Sequence, residues 1–260
     1  MRVKILGSSP HNTARQQYVS SYVINGTVAI DAGCLGFCGT PEEQQRVRHV
    51  FLTHSHADHT ASLPVFVENV WTPTGDCPRI YGVAETLDSV RRHIFNEVMW
   101  PDFIALSNQS HPFLRLCPLQ PGEMVEAEGL KIIPIPVNHI VPTVGYIVSD
   151  GLAAIIVAGD TGPTSWLWDV ACRTEGLRAV FLEACFPNSM RDLAETSHHL
   201  TPEMFGREVS KMPAGVTVFA THIKVRYREQ VIRELNELGL ENLEIGECDR
   251  EYVFAQAAAG

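Results

Sequence analysis

The stretch Thr53-His54-Ser55-His56-Ala57-Asp58-His59 follows directly on the apolar run Val50-Phe51-Leu52. Three imidazoles and a carboxylate therefore leave the end of one apolar run within six residues, His54 to His59. A strand that ends in such a cluster delivers all four side chains to one rim of a sheet. Imidazoles crowded this tightly repel one another when protonated and favour a shared cation. Imidazole nitrogen with carboxylate oxygen is the ligand set of zinc, manganese or iron, whereas softer metals ask for thiolates.

Further chemistry-bearing residues also stand at the ends of apolar runs. His139 closes Pro136-Val137-Asn138-His139, Asp160 lies in the Gly159-Asp160-Thr161-Gly162 turn after Ile155–Ala158, and His222 follows Val218-Phe219-Ala220-Thr221. Each has a plainer reading: a lone histidine is usually a partly buried polar residue, and an aspartate before glycine often only shapes a turn. His11, His49, His93, His111 and His198 have no place in the pattern and read as structural.

The patterning predicts strands at 3–6, 19–24, 28–31, 47–52, 79–82, 130–135, 145–148, 153–157, 179–182 and 216–220. Asn25-Gly26 between two β-rich runs is a hairpin signal. Helices are expected at 84–96, 163–171, 202–211 and 226–238. The third is marked by Thr201 before Pro202, an N-cap followed by proline at the first helical position. In both halves, hairpin-rich β segments precede strand–helix units. This implies an α/β fold of two sheets packed face to face with helices outside, an αββα sandwich, with the histidine- and aspartate-tipped strands sharing one rim. Loops on such a rigid rim are where sites are usually built.

The chain has 260 residues, 45% of them hydrophobic, with a net charge of -10 when histidines are neutral. That suits a single domain spanning 1–260 with an ample core. An acidic chain is a poor partner for nucleic acid or an anionic membrane. The opening MRVKILGSSP has no long apolar segment, and no run approaches the roughly 18 apolar residues of a spanning helix. The seven cysteines are scattered without a CxxC, which reads as reduced thiols in a cytoplasmic protein. Cys34 and Cys38, the closest pair, leave open a redox or metal pair.

His54-Ser55-His56-Ala57-Asp58-His59 with His139, Asp160 and His222 resembles the metallo-β-lactamase superfamily along essentially the whole chain. The resemblance implies two divalent ions as cofactors, zinc first and manganese or iron as alternatives. His54, His56 and His139 would hold one, Asp58, His59 and His222 the other, and Asp160 would bridge them. Asp31, Thr53 and Thr221 are candidates to orient the ligands, since ligand imidazoles usually donate their second nitrogen to a supporting group.

The superfamily hydrolyses lactams, thioesters, lactones and phosphodiesters, so the fold does not choose among them. Phe181-Leu182-Glu183-Ala184-Cys185, His199-Leu200-Thr201-Pro202 and Thr221-His222-Ile223-Lys224 resemble the class II cyclic-nucleotide phosphodiesterases, as does Trp100-Pro101-Asp102-Phe103. Ala57 and Thr60 depart from that family, which commonly has Leu at the former and an apolar residue at the latter. The resemblance implies hydrolysis of a small phosphodiester by a metal-bridging hydroxide. Asp58 would orient the hydroxide, and His199, held by Glu183, would protonate the leaving alkoxide. Lys224 and Arg226 are candidates to bind phosphate, and Trp100 and Phe103 to stack on a base, walled by the segments 7–15 and 100–108. A ribonuclease Z-like endonuclease is the alternative on Glu183, His199 and Thr221–Tyr227, but the stretch of about 20 residues from His139 to Asp160 has no room for a tRNA-gripping arm. A thioester or lactone hydrolase, and a non-catalytic sensor, are the other readings. The resemblance also implies a homodimer, since relatives often form dimers, though no face of the chain identifies an interface.

Overall fold

The computed structural model describes residues 1–9, 16–73, 76–107 and 111–255. The first half contributes β1 (Arg2–Ile5), β2 (Tyr22–Ile24), β3 (Val28–Ile30), β4 (His49–Phe51), β5 (Arg79–Val83) and β6 (Arg115–Leu119). The second contributes β7 (Val125–Ala127), β8 (Leu130–Pro136), β9 (Val144–Ser149), β10 (Ala154–Val157), β11 (Leu177–Glu183), β12 (Thr217–Thr221), β13 (Leu243–Ile245) and β14 (Glu251–Val253). They form two seven-stranded sheets, ordered β14-β1-β2-β3-β4-β5-β6 and β13-β12-β11-β10-β9-β8-β7. Each sheet is antiparallel on one side and parallel on the other. The helices are α1 (Pro41–Gln44), α2 (Ala57–Thr60), α3 (Leu63–Val70), α4 (Ala84–His93), α5 (Phe103–Leu106), α6 (Trp166–Ala171), α7 (Arg191–Ser197), α8 (Pro202–Val209) and α9 (Arg228–Glu237).

The core has three layers, as an αββα sandwich requires. Between the sheets lie Phe51, Tyr146, Phe181 and Phe219 with aliphatic side chains of both. Phe51 meets Tyr146 edge-on at 5.6 Å, and the Tyr146 hydroxyl crosses to donate to the Leu52 carbonyl at 2.6 Å. The outer face of the first sheet packs on α3 and α4 through Leu63, Phe66, Leu87 and Val90. The outer face of the second packs on α6, α8 and α9 through Leu167, Phe205, Val231 and Leu235. Aromatic side chains are concentrated in the middle layer among aliphatic ones, where each removes a large area from water.

Local chemistry explains several element ends. Asn25 (φ 52) and Gly26 (φ 77) form the turn joining β2 to β3, closed by Thr27 N–H donating to Ile24 O at 3.1 Å. Two left-handed residues give the primed turn whose twist matches the strands. The Thr201 side chain caps α8 by accepting from Met204 N. The helix expected from 163 starts only at Trp166, and the one expected from 226 is a 3-10 turn, Val225–Tyr227, before α9 begins at Arg228. Among the described residues no helix is long and apolar enough to cross a membrane.

Candidate metal centre

Strands β10, β11 and β12 run parallel, and β8 and β10 both oppose β9, so these four strands end at one rim. There His139 follows β8, Asp160 follows β10 and His222 follows β12. In the other sheet β3 and β4 are parallel and end beside this rim with Asp31 and Thr53. His54 and His56 precede α2, while Asp58 and His59 lie on it.

The seven residues separate into two groups. The donor atoms of His54, His56, His139 and Asp160 lie within 4.8 Å of one another, as do those of Asp58, His59 and His222. Asp160 stands between the groups. Its Oδ1 is 3.2 Å from His59 Nε2, and its Oδ2 is 3.4 Å from His222 Nε2 and 3.9 Å from His54 Nε2. His56 Nδ1 and His139 Nε2 approach to 3.3 Å.

This donor set fits divalent cations. His54 Nε2, His59 Nε2 and Asp160 Oδ1 are buried and make no aligned hydrogen bond among the described residues. Buried polar groups are costly unless paired, so unpaired donors converging from two sheets point to a cation. Imidazole and carboxylate suit zinc, manganese or iron.

Supporting contacts fix which nitrogen faces inward. Asp31 is fully buried and accepts from Thr53 N at 2.8 Å, from Thr53 Oγ1 and from His59 Nδ1 at 2.7 Å. Thr53 Oγ1 lies 3.0 Å from His54 Nδ1, and donation from that nitrogen leaves His54 Nε2 unprotonated. Thr221 does not support a ligand in this way. Its hydroxyl accepts from Tyr22 and donates to Leu182 O.

Three features gave no sequence signal. His198 adopts φ 53 at the end of α7, which presents its carbonyl to His139 Nδ1 at 3.2 Å. His222 itself sits at φ 50, and its N–H donates to Gln17 Oε1 at 3.0 Å. Left-handed backbone at a non-glycine residue is held only when its surroundings determine it. Gly33 passes so close to the histidine loop that a Cβ there would lie 2.2 Å from the Asp58 carbonyl oxygen.

Burial dominates the electrostatics of the imidazoles. It holds His54 well below the usual range, with His59 adding to the effect, and pulls His139 and His222 down to about 4. His59 goes the other way: burial opposes its charge, but the Asp160 and Asp31 carboxylates outweigh burial and hold it well above the usual value. Burial would raise Asp160, yet His222, His59 and His54 together hold it well below the carboxylate range.

Beside the donors stands a buried carboxylate–imidazole pair. Glu183 Oε1 accepts from His199 Nδ1 at 2.7 Å and from Thr161 N at 2.8 Å, while Oε2 accepts from Leu200 N at 3.1 Å. Glu183, Cys185 and His199 also place donor atoms within 4.8 Å of each other. Glu183 is already satisfied by three donors, so this trio orients His199 rather than competing for an ion. The His199 ring lies 5.1 Å from that of His139 and 6.2 Å from that of His222. Burial lowers the pKa of His199, but Glu183 outweighs it and the net shift is upward.

The other candidates divide. Lys224 Nζ lies 3.2 Å from Asp58 Oδ2 and 3.5 Å from His222 Nε2, so it is part of the site. Arg226 is exposed in the following turn, its guanidinium 5.9 Å from the Tyr227 ring centroid. Phe103 is a core residue, not a base-stacking one: it is buried and stacked on Phe113 at 4.4 Å. Trp100 is half-buried. Of the expected pocket walls, residues 10–15 and 108 lie outside the described residues.

Comparison with known proteins agrees with this architecture. Residues 32–223 match the family described as "Beta-lactamase superfamily domain". A 3′,5′-cyclic-nucleotide phosphodiesterase of Aliivibrio fischeri is 26% identical over 234 residues, which cover 76% of this chain and 68% of that protein. A ribonuclease Z of Methanosarcina acetivorans is 26% identical over 156 residues, covering 56% of this chain and 47% of that protein. The crystal structure of unliganded yeast PDE1 superposes with a TM-score of 0.76 at 20% identity, over 94% of this chain and 96% of that one. The shared fold is the metallo-β-lactamase fold.

Proposed function

The chain belongs to the beta-lactamase superfamily, and from that premise we propose that it is a metal-dependent hydrolase of small phosphodiesters, with a 3′,5′-cyclic nucleotide as substrate. The observation that carries the reading is the Glu183–His199 pair beside two adjoining groups of metal donors. A thioester hydrolase expels a thiolate, which departs without a proton; a ribose phosphodiesterase expels an alkoxide, which needs one. Cyclic-nucleotide phosphodiesterases among the relatives favour the same substrate class.

His54, His56, His139 and Asp160 would hold one divalent ion, and Asp58, His59 and His222 the second, shared through Asp160. Ions held there supply Lewis acidity toward phosphoryl oxygens and acidify water. Asp58 keeps a carboxylate oxygen toward the Lys224 ammonium and the metal donors, placed to orient a nucleophile and take its proton. Lys224 would neutralise charge on the phosphoryl group. His199, anchored at Nδ1 by Glu183, directs Nε2 outward and donates its proton to the leaving oxygen. Burial raises the pKa of Glu183, opposed chiefly by the charge and hydrogen bond of His199 and also by the Leu200 N–H, so the buried pair holds a proton between carboxylate and imidazole for donation. Between His139 and Asp160 the chain is taken up by β9 and β10, which favours a small substrate over tRNA.

The test is hydrolysis of 3′,5′-cAMP by protein reconstituted with zinc or manganese, with Asp58→Ala and bis(p-nitrophenyl) phosphate alongside. Metal-dependent cAMP turnover lost in the variant supports the proposal. Cleavage of the artificial diester alone rejects that substrate, and silence on both rejects phosphodiester chemistry.

A further inference from the structure

Cys34 and Cys38 bracket the 3-10 turn Leu35–Phe37, one before it and one after it. Their thiols point past the end of β1 to neighbouring carbonyls: Cys34 Sγ lies 3.9 Å from Leu6 O, and Cys38 Sγ 3.5 Å from Gly7 O. The two thiols also reach each other, and this hydrogen bond together with burial pushes the Cys34 thiol up. Cys248, bridged to Ile5, adds a third thiol nearby, but its influence on Cys34 is smaller than that of Cys38. Cys34 is buried, while Cys38 is half-buried on the wall of a cavity of about 410 Å³ shared with Lys4, Glu43, Arg46 and Asp249. One sulfur is thus open to a water-borne reagent, and the other stands behind it. Redox-sensing cysteines have this arrangement, an accessible thiol beside a resolving one.

The same turn is tied to the metal loop. Cys34 follows Gly33, which packs against the Asp58 carbonyl, and Asp31 on the same segment accepts from His59 Nδ1. Ala32 N–H donates to His59 O at 2.8 Å. Ser62 Oγ donates to Ala32 O and accepts from Gly36 N–H. A shift of Cys34 therefore presses on the residues that carry Asp58 and His59.

We propose that Cys34 and Cys38 are a reversible thiol–disulfide site oxidised by peroxide, and that its closure weakens the hold on the ion at Asp58, His59 and His222. The second half rests on the assignment of metal donors above. The sulfur of Cys38 attacks one peroxide oxygen and the O–O bond breaks. The other oxygen leaves with the thiol proton as water, and Cys38 keeps a hydroxyl as sulfenic acid. The sulfur of Cys34 then attacks that of Cys38: the S–S bond forms, the S–O bond breaks, and the hydroxyl takes the Cys34 proton as a second water. Two thiols are oxidised and one peroxide is reduced. A disulfide bond is shorter than any hydrogen-bonded contact between thiols, so closure draws Cys34 toward Cys38 and away from its fit beside Gly33 and Asp58.

The test treats metal-free protein with hydrogen peroxide, removes the excess with catalase, and compares it with untreated protein and with Cys34→Ser and Cys38→Ser. Mass spectrometry follows the tryptic peptide 16–46, which holds Cys34 and Cys38 and no other cysteine. In wild type it should lose two hydrogens and resist alkylation, and dithiothreitol should reverse both. Calorimetry follows manganese, which suits oxygen and nitrogen donors better than thiolates. Oxidation should lower its affinity by about 10–100-fold in wild type and leave both variants unchanged. Cysteines that stay open to alkylation, or a crosslink to Cys248 instead, overturn the proposal. So does a wild-type affinity that oxidation leaves in place, or a loss that persists in Cys38→Ser. If reduced protein takes up no manganese while the disulfide forms and reopens, the metal assignment fails and the thiol–disulfide site stands.

Discussion

Replacing His199 with Ala should separate substrates by their leaving groups. A ribose alkoxide needs a proton as it departs, whereas p-nitrophenolate leaves without one. Loss of a positioned general acid costs about 10²–10⁴-fold, so cAMP turnover should fall by that factor. Turnover of bis(p-nitrophenyl) phosphate should change far less, and metal content not at all. Glu183→Gln tests the same pair through pH. An amide in place of the carboxylate can keep its oxygen toward His199 and Thr161, leaving its NH₂ against the Leu200 N–H. One buried donor then lacks an acceptor, at a cost of about 1–3 kcal/mol, or a fall in Tm of about 2–4 °C per kcal/mol. The carboxylate is what lifts His199 above its ordinary 6.5 against burial. The acid form is therefore present below the raised pKa, and cAMP turnover is lost as pH rises through it. Without the Glu183 charge, burial and Lys224 are opposed only by the weaker influence of Asp160, so the alkaline limb should move to lower pH in Glu183→Gln. Equal losses on both substrates in His199→Ala, or an alkaline limb that stays in place in Glu183→Gln, would falsify the assignment of His199 as the acid.

Thr53→Val removes the hydroxyl that links Asp31 to His54; affinity for zinc, measured by calorimetry, should fall about 10–100-fold, and unchanged affinity would mean that the donors are held by other contacts. Gly33→Ala places a methyl group 2.2 Å from the Asp58 carbonyl oxygen; the loop must shift, with a loss of about 1–3 kcal/mol in denaturant melts and weaker metal binding, whereas a variant with wild-type values for both would show that the loop gives way freely. Tyr146→Phe deletes the buried bond to Leu52 O across the two sheets; a loss of about 1–2 kcal/mol is expected in metal-free protein, and an unchanged melting point would mean that the carbonyl finds another donor.

The parts of the fold legible in the sequence are those whose signal is local. The histidine loop, the Asn25-Gly26 turn and the Thr201-Pro202 helix start each carry their chemistry within a few residues. Helix α3 was not anticipated although Leu63, Phe66, Val67 and Val70 share one buried face; at eight residues, about two turns, it is too short for that periodicity to stand out. Strands β13 and β14 are three residues each and contain glutamate, so neither alternation nor composition marks them. β14 exists because β1, at the other end of the chain, offers an unpaired edge, with Arg2 opposite Val253. Within the site, residue types were readable but backbone conformations were not. Nothing local announces that His198 will turn its carbonyl to His139, because that turn is set by the packing of α7.

The spacing of the site follows from strand register rather than from the loops that carry it. Val157 of β10 pairs with Phe181 of β11, and Glu183 of β11 pairs with Thr221 of β12. Asp160 lies three residues past Val157, Glu183 two past Phe181, and His222 one past Thr221. Three functional side chains are thus delivered from adjacent parallel strands, whose axes in such sheets are about 4.8 Å apart. A slip of one residue in β11 would turn Glu183 to the opposite face of the sheet and carry Phe181 out of the layer it shares with Phe219. Phe181 and Phe219 stack at 4.9 Å between the sheets, so the apolar contact that stabilises the sandwich also fixes the register of Glu183. Glu183 is the only member of the pair on a strand; His199 arrives on the turn before α8, held by Ala194 O and Glu183. On the proposed mechanism the sheet would therefore place the carboxylate, and the turn before α8 the imidazole that would deliver the proton.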